Sequence, residues 1–456
     1  MHFNVNLLEL QKSLFLLRIT LAQLENASIK SVLIDMTWNP DRPYNDLPLL
    51  PPPALKDDFD WRPVLNACKG AEVALKELTT ASRGLNQELL INSIPRLEAQ
   101  VSSEIEGVFT TTDEMFVADY RKDNELDRAT KEALGYADAL TKYSGRPLDA
   151  HLAEQICSSL RNKETTIRQR LDTKIARTDG QTIYTPPQGE EIIREKLKNW
   201  ANFLFCPALE ISEGVRIEGG SVEDIREEKL KCDPESGYDP DLDKDPIIRL
   251  AIGHYQFEAI HPFEDGNGRT GRILNVLFLI NAGLLEYPIL YHSRGVLKRK
   301  DDYYRLLRQV TETGDWGSWI IFIAEVIRET AEWTVEQIAA INQLKEDTKN
   351  YVHNRLGDKA DQRMLDLIFK MPVVAIPDVV DEGIAKRQTA STKLKQLSDL
   401  GILKQVKEGR NVLFKHTKFL SILKQTEKYH VEQYAAPDGA AEAANTPGEV
   451  GEKDSG

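Results

Sequence analysis

Twelve consecutive residues, His261-Pro-Phe-Glu-Asp-Gly-Asn-Gly-Arg-Thr-Gly-Arg272, gather the parts of a phosphate site with a base beside it. His261 titrates near neutrality, so it can take a proton from an attacking hydroxyl. Asp265 adjoins the glycines and can hold a divalent cation against phosphates. Gly266, Asn267 and Gly268 come just before an apolar run that includes Ile273, Leu274, Val276, Leu277 and Phe278. That order predicts a buried helix whose unpaired first N–H groups and dipole attract anions. The glycines permit the backbone angles of a concave N–H nest. Arg269 and Arg272, three apart, project from one side of the helix and can clamp further oxygens. Singly, each piece has an ordinary structural role: a histidine at a helix end, a tight turn, a solvated arginine pair. Their coincidence at this spacing points to a nucleotide-phosphate site.

The run resembles the signature of the Fic family (filamentation induced by cyclic AMP), His-x-Phe-x-(Asp/Glu)-Gly-Asn-Gly-Arg-x-x-Arg, and every fixed position matches. The resemblance implies an α-helical core that moves AMP from ATP, with Mg²⁺, onto a hydroxyl side chain of a target protein. It implies His261 as the base and Asp265 as the Mg²⁺ ligand between the α- and β-phosphates. Gly266, Asn267, Gly268 and Arg269 form the anion hole, Thr270 and Gly271 continue the nucleotide-binding stretch, and Arg272 meets the γ-phosphate. Phe263 is core packing that fixes the loop. Upstream, Ser102-Ser103-Glu104-Ile105-Glu106-Gly107 fits Ser/Thr-x-x-x-Glu-Gly/Asn, which is similar to the inhibitory motif of many Fic proteins. On that likeness Glu106 pairs with Arg272 and occupies the γ-phosphate position. The same six residues also read as a helix face ending at a glycine cap.

Residues 173–184 alternate about an Asp-Gly turn and predict a β-hairpin. By family likeness this is a flap whose edge pairs with the target segment, a sound way to hold a flexible substrate. Tyr304, on a helical run beginning near Asp302, is the candidate to meet adenine. Two adjacent tyrosines face different sides of a helix, so at most one of Tyr303 and Tyr304 reaches the base.

The elements that must position these groups are mostly helical. The expected fold class is mainly α: an all-helical catalytic core with a small hairpin flap, an N-terminal helical region and a C-terminal winged helix-turn-helix. Helices are expected over about 61–81, 84–106, 124–143, 148–162 and 189–204, with a leucine-rich amphipathic helix before residue 25 and a proline-rich extended strap over 44–53. The expected divisions are 1–110 for the N-terminal region, 111–335 for the core, 336–430 for a linker helix and winged helix, and 431–456 for a disordered tail. Within the core, 206–244 is rich in Gly, Asp, Glu and Pro and reads as an insertion or long loop.

The chain has 456 residues, 41% hydrophobic and 29% charged, with a net charge of −14. Such a balance argues against a surface that coats nucleic acid or anionic membrane throughout. Four scattered cysteines, Cys68, Cys157, Cys206 and Cys232, lack metal spacing and suggest a reducing, cytoplasmic setting without structural disulfides. No stretch has the length of a membrane span. Locally the balance reverses: between 361 and 424 twelve basic residues stand against seven acidic ones. Helix, helix, helix and hairpin in that stretch resemble a winged helix, which permits DNA binding through Lys393 and Lys395 or, equally, protein contact or packing in a homodimer. The leading reading is a self-inhibited protein adenylyltransferase acting on Ser, Thr or Tyr of a target protein or of itself. The readings beside it are removal of AMP at the same site, and a nucleotide-sensing DNA-binding transcription regulator.

Overall fold

The computed structural model describes residues 38–52, 61–84, 87–176, 180–204 and 245–424. The leucine-rich helix, the 206–244 segment with Cys206 and Cys232, the Thr178-Asp179 turn and the tail all lie outside the described residues. The described chain is mainly helical, with two small antiparallel sheets. It divides into two compact units. One takes the described residues up to Thr80 together with Ile94–Thr334, and the other takes Ala81–Ser93 and the described residues from Val335 onward.

In the first unit, helices α1 (Trp61–Arg83), α2 (Gln87–Ile105), α3 (Thr112–Val117), α4 (Arg128–Lys142) and α5 (Ala150–Arg161) precede the hairpin of β1 (Ile175–Ala176) and β2 (Thr182–Tyr184). Helices α6 (Glu190–Leu204), α7 (Pro246–Ile260), α8 (Asn267–Asn281), α9 (His292–Lys298), α10 (Lys300–Thr313) and α11 (Trp316–Leu356) follow. The last residues of α1, the first turns of α2 and α11 from Val335 onward belong to the second unit. Pro95 lies inside α2 and removes one ladder donor there.

α7 and α8 are the centre. α7 starts at Asp245, whose carboxylate accepts from the N–H groups of Ile247 and Ile248, with Pro246 at the first helical position. Nearly every α7 residue is buried, and α8 is buried from Asn267 to Leu279 apart from Gly268. Helices apolar all round belong in a core, and α4, α5, α6 and α9 pack around this pair. The strap over 38–52 has no regular structure, as its prolines require, and it is pinned by side chains of the core. The Lys196 ammonium donates to the Leu47 carbonyl (2.7 Å), Gln256 Nε2 to Pro48 O (2.8 Å), and Asn199 exchanges two bonds with Leu50.

The second unit holds α12 (Gln362–Lys370), β3 (Val373–Ala375), α13 (Ile376–Asp381), α14 (Arg387–Asp399), β4 (Lys404–Glu408), β5 (Asn411–Lys415) and α15 (Thr417–Lys424). α14 stops where glycine allows a left-handed turn: Gly401 has φ 74°, and Ile402 N–H closes on Leu397 O (3.0 Å). The expected hairpin is present, with Val406 opposite Leu413, but the sheet has a third strand in the order β3-β5-β4. The second helix of the stretch, α13, is short and ends at Asp381. Lys393 is tied to Asp361, the N-cap residue of α12, whereas Lys395 is exposed.

Candidate functional site

His261 ends α7 in the left-handed region (φ 50°, ψ 60°), its N–H still bonded to Phe257 O (3.0 Å). That conformation is uncommon for a side chain larger than glycine and costs of the order of 1 kcal/mol. Arg168 holds it. This buried guanidinium donates from Nε to the His261 carbonyl (2.8 Å) and from one terminal nitrogen to Pro187 O and Ile260 O, while the Arg168 N–H bonds Pro262 O (2.9 Å). Burial, against carbonyls alone, pushes Arg168 down to about 10. Tyr184 adds a further tie from β2, its hydroxyl donating to Ala259 O (2.8 Å). Arg168→Ala should therefore cost about 3 kcal/mol of stability in urea unfolding, since several buried carbonyls lose their donor. A loss under about 0.5 kcal/mol would show that the loop holds its shape without the clamp.

The loop between α7 and α8 is stapled by Asn267. Its side-chain oxygen accepts from Phe263 N–H and its amide donates to Phe263 O, both at 2.8 Å. Gly266 caps α8 with φ 91°, and a Cβ there would sit 3.2 Å from Cys157 Sγ. The anion nest expected from the sequence would therefore rest on backbone donors at the start of α8, because the Asn267 side chain is taken up by the loop. Gly268 faces the other way: a Cβ on it would fall 2.3 Å from Glu106 Oε1 and 3.0 Å from an Arg272 nitrogen.

Arg272 is buried and bound to α2 three times. Nε donates to Ser102 Oγ (2.8 Å), and one terminal nitrogen donates to Ser102 O (2.9 Å) and to Glu106 Oε1 (2.8 Å). Burial alone would raise Glu106 and lower Arg272, yet each beside the other is held in its charged form: Glu106 below the usual carboxylate range and Arg272 above the usual guanidinium value. Glu106 stands just past the end of α2, where Gly107 (φ 75°) caps the helix and Val108 N–H reaches Ser103 O (3.0 Å). This one turn carries both the Glu106–Arg272 pair and a helix end capped by glycine. Lys300 completes that end by donating to Ile105 O (2.6 Å).

Arg269 is also buried, and its partner is Glu132 on α4 (2.5 Å). Asp265 is half-exposed and meets Arg161 at 2.8 Å and Arg269 at 3.6 Å. No group of three metal-ligating side chains forms among the described residues. A single carboxylate beside a helix start fits Mg²⁺, which takes one or two carboxylates and completes its shell with phosphates and water. Thr270 is buried with an unpartnered hydroxyl, and Gly271 faces α7, where a Cβ would fall 2.4 Å from Glu258 Oε1. Tyr303 is buried against His254 (2.9 Å), and Tyr304 presents the open ring, its phenol raised first by burial and then by Glu106.

The residues that sequence reasoning missed are Ser102 as an Arg272 partner, Glu132, Arg161, Arg168 and Glu258. None has a local signal except Ser102, the first position of the inhibitory motif.

Buried titratable groups give the unit a pH signature. Burial lowers His261 to about 4, below the near-neutral titration expected of it from sequence, lowers His292 to about 3, and holds His254 well below its usual value. Unfolded, these rings take up protons near pH 6.5, so their contribution is present above about 6.5 and lost as pH falls towards 3. Glu98 and Glu258 run the other way, raised by burial to about 7 and about 8. Their contribution is present below about 4.5 and lost as pH rises through 7 and 8. Melting temperature should peak near pH 6.5, and replacing both glutamates by glutamine should flatten its decline up to about pH 8. A melting temperature that climbs steadily from about pH 6.5 to 8 would contradict the protonated state of the two carboxyls.

Comparison with known proteins places this loop in a family. Residues 65–142 match the Fic/DOC family N-terminal region, 165–279 the Fic/DOC family, and 344–419 the C-terminal domain described as protein adenylyltransferase SoFic-like. A protein adenylyltransferase Fic of Nematostella vectensis is 38% identical over 87 residues, which is 19% of this chain and 19% of that protein. One of Aedes aegypti is 34% identical over 97 residues, 21% of this chain and 18% of the other. The chain thus spans about a fifth of the length of the curated relatives it matches. A crystal structure of a Fic family protein from Desulfovibrio desulfuricans G20 covers 78% of this chain and 97% of its own, at 17% identity and a TM-score of 0.45. With three matches in series along one polypeptide, the chain belongs to the Fic family and carries Fic N-terminal, Fic and SoFic-like C-terminal domains.

Proposed function

We propose that this protein is a self-inhibited adenylyltransferase that moves AMP from ATP to a hydroxyl side chain of a protein. The observation that carries the reading is the buried Arg272, held at 2.8 Å by Glu106 immediately beside the phosphate-binding start of α8. The adenylyltransferase names of the matching relatives agree with it. In the reaction the target oxygen bonds to the α-phosphorus as the bond to the β-phosphate oxygen breaks. The hydroxyl proton passes to the His261 imidazole, which burial keeps neutral and ready to accept it. Backbone donors of Gly266, Asn267 and Gly268 receive charge on the phosphates, with no reorganisation at the moment of reaction. Asp265 would hold Mg²⁺ with the phosphates, and the ion would neutralise their charge. The paired strand β2 is the edge we assign to the target segment, and Tyr304 is the ring we assign to adenine. ATP labelled at the α-phosphate, incubated with the chain and candidate proteins, should leave label on protein, whereas γ-labelled ATP should leave none. Label from the γ-position would replace AMP transfer by phosphoryl transfer.

A second partner class is favoured by the exposed cations of the second unit: Lys386, Arg387 and Lys395 on and before α14, and Lys407 and Arg410 on the hairpin. If they meet DNA, Lys395→Ala and Arg410→Ala together should weaken a gel shift, and each lost phosphate contact should lower the salt slope by about one. Lys393, paired with Asp361, should matter less. No shift at low salt would leave protein contact as the role of this unit.

A further inference from the structure

Helix α9 starts at His292, and the residue before it, Tyr291, gives it no side-chain cap. A helix start leaves its first N–H groups without partners in the helix. Here a carboxyl group from another helix fills the place. Glu98 of α2 accepts the Ser293 N–H at Oε2 (2.8 Å), and its Oε1 accepts the Ser293 hydroxyl (2.5 Å) and the Tyr136 hydroxyl of α4 (3.0 Å). Glu98, Ser293 and Tyr136 are all fully buried. An acidic group at a helix start also meets the positive end of the helix dipole.

Further along both segments they meet again, where Lys300 at the start of α10 donates to Ile105 O (2.6 Å). Each of the two ties joins residues 195 apart in sequence. α2 and the chain from α9 into α10 therefore advance in step over about two helical turns. Ties at both ends hold α2 along its own axis as well as across it. Ser102 lies between them and Glu106 just past the second, and these two are the partners of Arg272. Glu98, Ser102 and Glu106 follow one another at intervals of four, so anchor and lock share one side of the helix and its last turn. Burial raises Glu98 to about 7, against the pull of the Ser293 and Tyr136 bonds and of the Arg272 charge.

We propose that Glu98 is a positioning residue for Glu106: its bonds to Ser293 and Tyr136 set where α2 stands along α9, and so how closely the Glu106 carboxylate meets Arg272. Its effect on activity rests on the self-inhibited reading, whereas the anchoring of α2 stands apart from that reading. Glu98 touches neither Arg272 nor the catalytic loop directly, and it acts through the helix that carries the lock.

Three measurements on the full chain test it: amide hydrogen exchange over residues 99–107, calorimetric affinity for ATP against ADP, and labelling from α-labelled ATP. Glu98→Ala removes every acceptor of the anchor. Exchange should quicken by about tenfold or more. ATP affinity relative to ADP, and labelling, should rise by about tenfold towards the Glu106→Gly values. Glu98→Gln should stay near the parent in all three, because its oxygen can accept the Ser293 N–H while its amide donates to the two hydroxyls, as a protonated carboxyl would. Ser293→Ala keeps the N–H and loses one bond, so it should give a smaller rise, of about threefold. It decides the matter if Glu98→Ala is too unstable to purify. Glu98→Ala combined with Glu106→Gly should label within about twofold of Glu106→Gly alone, since the anchor then has no carboxylate to position. Parent-like exchange and parent-like ATP preference in folded Glu98→Ala or Ser293→Ala would overturn the proposal. So would a Glu98→Gln chain as loose as Glu98→Ala, or a double variant whose gains multiply. Quickened exchange in Glu98→Ala with no gain in Glu106→Gly would uphold the anchor and sink the inhibitory reading. A gain in Glu106→Gly with no response in Glu98→Ala would do the reverse.

Discussion

With alanine at position 261, transfer of AMP to protein should fall by about 10²- to 10⁴-fold while ATP affinity stays near that of the parent. The separation follows from the two elements involved. The imidazole belongs to the residue that ends α7, whereas the backbone donors proposed to meet phosphate belong to the start of α8. Alanine also carries a conformational cost at φ 50°, of the order of 1 kcal/mol. His261→Asn separates the two effects, because asparagine tolerates the left-handed region but is no base at neutral pH. Both variants should be inactive, and the asparagine variant should melt closer to the parent. Labelling from α-labelled ATP and calorimetric ATP affinity, measured on the same preparations, decide the matter. Undiminished labelling in the asparagine variant would remove His261 from the chemistry.

Glu106→Gly should raise labelling, by about 10²-fold if the lock misplaces the phosphates as geometry suggests. Arg272 would keep both bonds to Ser102, so α2 stays attached while the guanidinium turns to the γ-phosphate. Stability should move against activity. A buried arginine stripped of its carboxylate costs about 3 kcal/mol or more, and saturating ATP should restore part of the lost melting temperature by mass action. Arg272→Ala should not reproduce the gain, since it removes the clamp together with the lock. A Glu106→Gly protein that folds, binds ATP and labels less than the parent would show that Glu106 is catalytic or structural.

The parts of the molecule legible in sequence were those written in local pattern. Periodic apolar residues marked the helices α1, α2, α4, α5 and α6 but not the short α3, and the glycines of 266–268 marked the turn into α8. Adjacent tyrosines were bound to diverge, and Tyr303 and Tyr304 do, one buried against His254 and one open. What stayed hidden depends on contacts between distant positions. Arg168 stands 93 residues before the carbonyl its Nε holds, and Glu132 stands 137 residues before Arg269. Neither position has a period, a cap or a spacing to announce it. Gly271 shows a different gap: it lies inside the signature, yet it faces the Glu258 side chain, which only the packing of α7 on α8 reveals. The strand β3 has three residues, all buried, after Pro372, too short for an alternating pattern to register.

If the Glu106–Arg272 pair acts as the proposed lock, the resting protein should be a poor judge of nucleotides. A ligand shifts an equilibrium only by the difference in its affinity for the two states. ADP ends at the β-phosphate and makes no claim on the guanidinium, so it should bind the parent and Glu106→Gly equally well. ATP competes with Glu106 for Arg272, so it should bind the variant more tightly. On the proposed function, the locked chain should respond only to the adenine nucleotide pool, and release of the Glu106 carboxylate should make it respond to the ratio of ATP to ADP.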